Sequence, residues 1–320
     1  MDVTLKWYQQ VCVDILWVFC LLCGALPRFV RYYMLRPLFF AGLVLAGYRR
    51  KMIVRNLTHA FPEKSVREIR KIACRNYLFM AEVFVDTISL AGASRRRKSY
   101  VAQWVNGEEV GERLRGKDWI AMCAHYGCWE YLMLFCPYLK NTKLMGVYHP
   151  LNNAIFDRLY SRLRNLDAKI QQVPVKQSVR YFLQNRKEGY GTLLGLISDQ
   201  SPKLRSNTHW VKFLHQDTAF FDGGEALARK FHLPVFFVHC RRIAPGRYAF
   251  TLEEIYDGKE ELAPDELTER YARKLEGMIR ECPEIWLWSH NRWKHTPEKQ
   301  ARRFGKSTMN MEQTSENIEA

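Results

Sequence analysis

From about residue 100 onward, short apolar runs alternate with segments of helical spacing, and this alternation restricts the possible folds more than any other feature of the chain. The runs are "WIAMCA", "KLMGVY", "GTLLGLIS", "PVFFVHC" and "YAFTLEEI". Between them, "AIFDRLYSRLRNL", "SVRYFLQNR" and "GGEALARKF" place apolar residues at helical intervals, and "DELTERYARKLEGMIREC" reads as a longer helix. Strands separated by helices of this length join through crossover connections, which favours parallel pairing. The expected fold class is α/β, a three-layer domain with a mainly parallel sheet. Alternation through "IWLWSH" predicts one more strand, with one face buried.

The first hundred residues have a different texture. "ILWVFCLLCGAL" (Ile15 to Leu26) and "PLFFAGLVLAGY" (Pro37 to Tyr48) are each apolar for 12 residues. Both fall short of the roughly 20 residues that span a bilayer. Asp2 and Asp14, with the bulky continuation, argue against a cleaved signal peptide. Arg28, Arg31, Arg36, Arg49, Arg50 and Lys51 border the apolar runs, with aromatic residues interleaved. This pattern suits helices lying in the interface of an anionic leaflet; two buried core helices would give the same runs. The stretch from Arg50 to Gly92 then reads as helices broken at Pro62, with Ser65 as N-cap and Glu68 closing a capping box. "SRRRK" (Ser94 to Lys98) reads as a basic surface loop. The expected domains are 1–99, a membrane-associating helical segment, 100–306, the α/β domain, and 307–320, a polar disordered tail.

Charge narrows the partners. Forty-nine Lys and Arg against 33 Asp and Glu leave a net charge of +16. Such a surface calls for an anionic partner, whether nucleic acid, acidic membrane, phosphorylated substrate or acidic protein. No groove-entering motif or aromatic RNA-binding signature accompanies the charge, which counts against nucleic acid. The nine cysteines are an odd number, scattered from Cys12 to Cys282. Cys20 and Cys23 form a CxxC inside an apolar run, without a second pair at ligand spacing, so free thiols fit better than zinc.

The candidate chemistry lies in "AHYGCWE" (Ala124 to Glu130), where an apolar strand ends. If Gly127 makes the turn, Glu130 opens the next helix and can reach back to His125. A carboxylate there would fix the imidazole tautomer and leave the other nitrogen as a general base. A strand-end histidine and a helix N-terminal acid with no joint role would look the same. Cys128 offers a rival, a thiolate nucleophile beside His125. GxSxG, P-loop and dinucleotide fingerprints are absent from the sequence.

HxxxxE after a strand resembles the His-x4-acid motif of glycerolipid and lipid A acyltransferases. "HYGCWE" is similar to the His-x-Gly-Asn-Trp-Glu form of the late acyltransferases of lipid A biosynthesis, the lauroyl/myristoyl transferase family. "GYRRKMIVRNLTHAFPEKS" resembles that family's N-terminal signature, and "YHPLNNAIFDRLYSRLRN" its central Arg-rich helix. "GLISDQSP" resembles its Asp-Gln/Asp-His loop and "WLWSHNRWK" its C-terminal segment, so the likeness runs over roughly residues 15–295. One departure is Cys128, where the family usually has Asn.

The resemblance implies acyl transfer from an acyl carrier protein thioester to a hydroxyl of a lipid A precursor, a phosphorylated glycolipid, at the cytoplasmic face of a bacterial inner membrane. It implies direct transfer with His125 as base and Glu130 as its orienter. It also implies Arg164 as a ligand of substrate phosphate or oxyanion, and Asp199 as an orienter of Arg164 or of a substrate hydroxyl. No metal or bound cofactor is implied, and no nucleic acid. A lysophospholipid or another glycolipid as acceptor, and a noncatalytic basic protein, are the alternatives.

Overall fold

A computed structural model describes residues 5–165 and 170–304. The tail expected over 307–320 lies outside them. Among the described residues, nine strands form two sheets. The larger contains β1 (Ala102–Trp104), β2 (Trp119–Cys123), β3 (Thr142–Tyr148), β4 (Ile170–Pro174), β5 (Gly191–Ile197), β8 (Val235–Ala244) and β9 (Arg247–Tyr256). A small hairpin pairs β6 (Trp210–Phe213) with β7 (Gln216–Ala219).

In the large sheet the order is β1-β9-β8-β2-β5-β3-β4. Strands β8, β2, β5, β3 and β4 are parallel neighbours, whereas β9 runs antiparallel to β8 and carries β1 parallel to itself. All five expected strands form. The helices expected between them form as Ala154–Arg164, Ser178–Lys187, Gly223–Phe231 and Glu266–Glu281. β2 is buried at every position because it sits in mid-sheet with neighbours on both edges. The α/β expectation therefore stands.

Two local expectations fail. "SRRRK" is no loop: Ser94 accepts a hydrogen bond from the Arg97 amide and caps the helix Arg95–Val101. "IWLWSH" forms no strand; after the 3₁₀ turn Pro283–Ile285 it makes only an isolated bridge, Trp286 opposite Tyr126. Its alternation has another cause, since the Trp286 and Trp288 indoles are both buried and meet edge to face at 4.7 Å.

At the N-terminus, the helix Trp7–Ala25 is 19 residues long with a mean hydropathy of 1.5. It is the one described helix long and apolar enough by itself to cross a membrane. Arg28–Leu45 and Arg50–Ala60 pass the same test only as a pair, bent by 91°. The buried-core alternative does not describe this segment, because Trp7, Ile15, Leu22, Tyr33, Leu38 and Leu45 are all more than 60% exposed. Beyond the break at Pro62, the expected capping box is present. Ser65 N donates to Glu68 Oε2 at 2.8 Å, and the Glu68 amide donates to Ser65 Oγ at 3.3 Å.

This N-terminal segment is bound to the sheet by charge as well as by packing. Glu82, fully buried in the helix Val66–Ile88, accepts from Arg36 at 3.2 Å, from Arg242 of β8 at 2.6 Å and from the Gly246 amide at 2.9 Å. A buried carboxylate is tolerated only with such partners. Removing it strands two part-buried guanidiniums, which costs about 3–5 kcal/mol. Glu82→Ala is thus expected to lower the unfolding midpoint sharply in a chemical denaturation series, and a midpoint equal to wild type would show the cluster to be dispensable.

Candidate active site

β2 and β5 lie side by side with Cys123 opposite Ile197, so the chain leaves the sheet at His125 and Asp199 as neighbours. Asp199 is 2% exposed and its carboxylate accepts three hydrogen bonds. The His125 amide donates to Oδ2 at 3.0 Å, the Trp286 indole N–H to the same oxygen at 2.8 Å, and His125 Nδ1 lies 2.7 Å from Oδ1. Burial alone would raise the Asp199 pKa, but the facing imidazole and these donors outweigh it and hold the carboxyl below its usual range. An ionised carboxylate only accepts, so Nδ1 carries the proton and Nε2 presents a lone pair. The Nε2 side faces Gln200, whose Nε2 is 3.3 Å away, and the Trp129 ring stands edge-on at 5.2 Å.

The turn after His125 depends on Gly127. Its φ of +59° is costly for residues with a side chain, and a Cβ there would meet Cys240 Sγ at 2.8 Å and the Tyr248 ring at 3.0 Å. The Gly127 amide donates to Ile285 O at 3.0 Å, which ties the turn to the Trp286 segment. The 3₁₀ element Trp129–Tyr138 follows, with Glu130 in its first turn.

Glu130 does not hold His125, and this corrects the expected pairing. It is 5% exposed and forms a two-pronged pair with Arg164, Nε to Oε2 at 2.8 Å and Nη2 to Oε1 at 2.6 Å. Asp199, expected to orient Arg164 or substrate, holds the imidazole instead. The reason is topological: β5 is the immediate neighbour of β2, whereas Glu130 sits past the Gly127 turn and faces the last turn of the helix Ala154–Arg164. The four predicted residues therefore make two carboxylate–base pairs, His125 with Asp199 and Glu130 with Arg164. Sequence reasoning assigned Trp286 and His290 no role in the site. The Trp286 indole in fact supports Asp199, and His290 Nε2 accepts from the Ser201 amide at 3.3 Å. The resemblance of "WLWSHNRWK" and "GLISDQSP" to one family's segments was the available signal for both. His149 is exposed just beyond the end of β3.

Cys128 is fully buried. Burial, reinforced by Asp86 and Glu130, pushes its thiol well above the ordinary value. A thiolate nucleophile needs the opposite setting, electropositive and accessible. Iodoacetamide should therefore label exposed Cys74 in the folded protein and spare Cys128 until denaturant is added, as read by peptide mass spectrometry. Labelling of native Cys128 would reinstate the thiolate.

Taken together, a mainly parallel α/β sheet presents a carboxylate-held histidine at its strand ends, an arrangement whose chemistry suits a general base. Residues 5–295 match the family model for bacterial lipid A biosynthesis acyltransferases, and the chain belongs to that family. It is accordingly an enzyme of the acyltransferase type. None of the curated proteins searched matches it. Among solved structures it is similar to the 1-acyl-sn-glycerophosphate (LPA) acyltransferase PlsC from Thermotoga maritima, at 13% identity and a TM-score of 0.35 over 80% of this chain and 98% of that one. The family assignment does not draw on that likeness.

Proposed function

We propose that the protein transfers a fatty acyl chain from an acyl carrier protein thioester to a hydroxyl of a phosphorylated lipid A precursor, at the cytoplasmic face of the inner membrane. The observation that carries the reading is the Asp199–His125 contact, which leaves Nε2 as the basic nitrogen. The acceptor O–H gives its proton to Nε2 as its oxygen attacks the thioester carbon. The tetrahedral oxyanion collapses, the C–S bond breaks, and the imidazolium returns the proton to the departing thiolate. Asp199 stays ionised throughout and stabilises the imidazolium. Transfer is direct, in keeping with the buried, high-pKa thiol of Cys128.

Glu130 and Arg164 serve the acceptor rather than the base. The guanidinium carries donors beyond the two that Glu130 takes, and its side chain is 30% exposed. It is suited to an anionic group, with Glu130 fixing its plane. The +16 charge favours an acidic carrier, a phosphorylated acceptor and an anionic leaflet together. The exposed apolar helix Trp7–Ala25, followed by the bent pair, supports seating in that leaflet, with arginines at the headgroup level.

The test is mass spectrometry of acyl transfer from a panel of carrier thioesters to a lipid A precursor, with a lysophospholipid as competing acceptor. His125→Ala should abolish the mass gain. Asp199→Asn should lower the rate by about 10²–10⁴-fold through loss of the tautomer. Cys128→Ala should retain transfer, since no acyl-enzyme forms. Full activity in His125→Ala under chemistry-limited conditions would remove the base, and acylation of the lysophospholipid alone would change the acceptor.

A further inference from the structure

We infer that the Gln200 side-chain amide is the donor that stabilises the oxyanion of the transfer reaction, a catalytic role beyond the histidine–carboxylate pair. The inference rests on the acyl-transfer reading.

Position comes first. Gln200 Nε2 lies 3.3 Å from His125 Nε2, the nitrogen whose lone pair must receive the acceptor proton. Without substrate the amide N–H caps that lone pair and marks where the hydroxyl will sit. An entering hydroxyl takes over the lone pair and displaces the amide by about one hydrogen-bond length, roughly 3 Å. The carbonyl under attack is bonded to that same hydroxyl oxygen in the intermediate, so its oxyanion forms beside the displaced N–H. Negative charge then develops next to a donor that this one short shift leaves within reach, and a donor aimed at developing charge is where such a group has most effect.

Neighbouring contacts keep the donor there. Asp199, one residue before, is fixed by three hydrogen bonds. Ser201, one residue after, donates its amide to His290 Nε2. Burial, partly offset by Asp199, pushes the His290 pKa down to about 4, so that ring stays neutral and able to accept. Pro202 follows and stiffens the backbone. Gln200 is thus a side chain on a loop pinned at both flanks.

Two backbone donors of the turn after His125 are engaged elsewhere. The Gly127 amide bonds Ile285 O and the Trp129 amide bonds Gly127 O. Arg164 is paired with Glu130, which offsets its charge. During the reaction the Gln200 N–H is shared but not transferred; the only proton that moves is the acceptor's, to Nε2 and then to sulfur.

The experiment is steady-state acyl transfer by the full-length protein in detergent micelles, with carrier thioester and acceptor varied in turn. Gln200→Ala should lower kcat by about 10²-fold with KM near wild type. The near-isosteric Gln200→Glu should fall at least as far. It should also move the rising limb of the pH–rate profile to higher pH, because a carboxylate there favours the imidazolium. Gln200→His, which retains a planar N–H donor, should recover part of the rate. Thermal midpoints close to wild type in the Glu and His proteins separate these effects from unfolding. Wild-type kcat in Gln200→Ala or Gln200→Glu, or a loss confined to KM, would overturn the assignment. Absence of transfer by the wild-type protein itself would remove the acyl-transfer reading and this inference with it.

Discussion

The site is organised around one buried negative charge. Asp199 lies at the end of β5, almost wholly out of water, and an isolated carboxylate there would take up a proton rather than remain ionised. Three donors prevent this, and they come from two separate parts of the architecture. The His125 amide and ring come from β2 through parallel register; the Trp286 indole comes from the turn region that β2 meets through the bridge to Tyr126. The carboxylate therefore locks strand order, the fold of the C-terminal segment and the imidazole tautomer at once. Loss of any one donor would weaken the others, since all of them keep the same charge ionised.

The N-terminal hundred residues are part of this construction. Glu82 joins Arg36, in the apolar segment, to Arg242 on β8. The helix Val66–Ile88 also touches the segment that supports Asp199: Asn76 donates to the carbonyls of Glu284 and Trp286 at 2.9 and 2.8 Å. Asn56, one helix earlier, does the same for Trp288 and His290, both at 2.9 Å. These amides give the irregular stretch from Glu284 to His290 the hydrogen bonds that a strand would have drawn from a sheet. The segment can abandon strand geometry and aim Trp286 at Asp199 because helices from the N-terminal hundred residues satisfy its carbonyls.

Which parts of this were legible in the sequence follows from what periodicity encodes. Apolar runs and helical spacing report local burial, so β2, β3, β5, β8, β9 and the capping box at Ser65 could be read directly, whereas β1, β4, β6 and β7 could not. The alternation in "IWLWSH" was misleading because aromatic rings packed on one another repeat like a strand without pairing as one. The histidine partner was out of reach for a different reason. Asp199 and Glu130 are equally plausible by residue type, and only strand order decides between them. That order is non-sequential, with β5 rather than β3 beside β2. The five-residue spacing from His125 to Glu130 suggested one dyad, whereas the fold turns it into two adjacent pairs.

That spacing makes better sense in light of where Arg164 is held. The helix Ala154–Arg164 packs on Trp7–Ala25 through Leu159 and Leu163 against Cys20 and Cys23. Arg162 reinforces the contact, lying over the Trp17 ring at 4.2 Å and reaching Asp14 at 3.0 Å. Two residues on, at the end of the same helix, Arg164 grips Glu130. The apolar N-terminal helix, the arginine and the acid of the motif are therefore in series, and whatever fixes the first fixes the third. His125 takes its orientation from the sheet and Glu130 from the N-terminal helix by way of Arg164. The motif thus spans the junction of two supports: the sheet, which sets His125, and an exposed apolar helix, which sets Arg164 and through it Glu130.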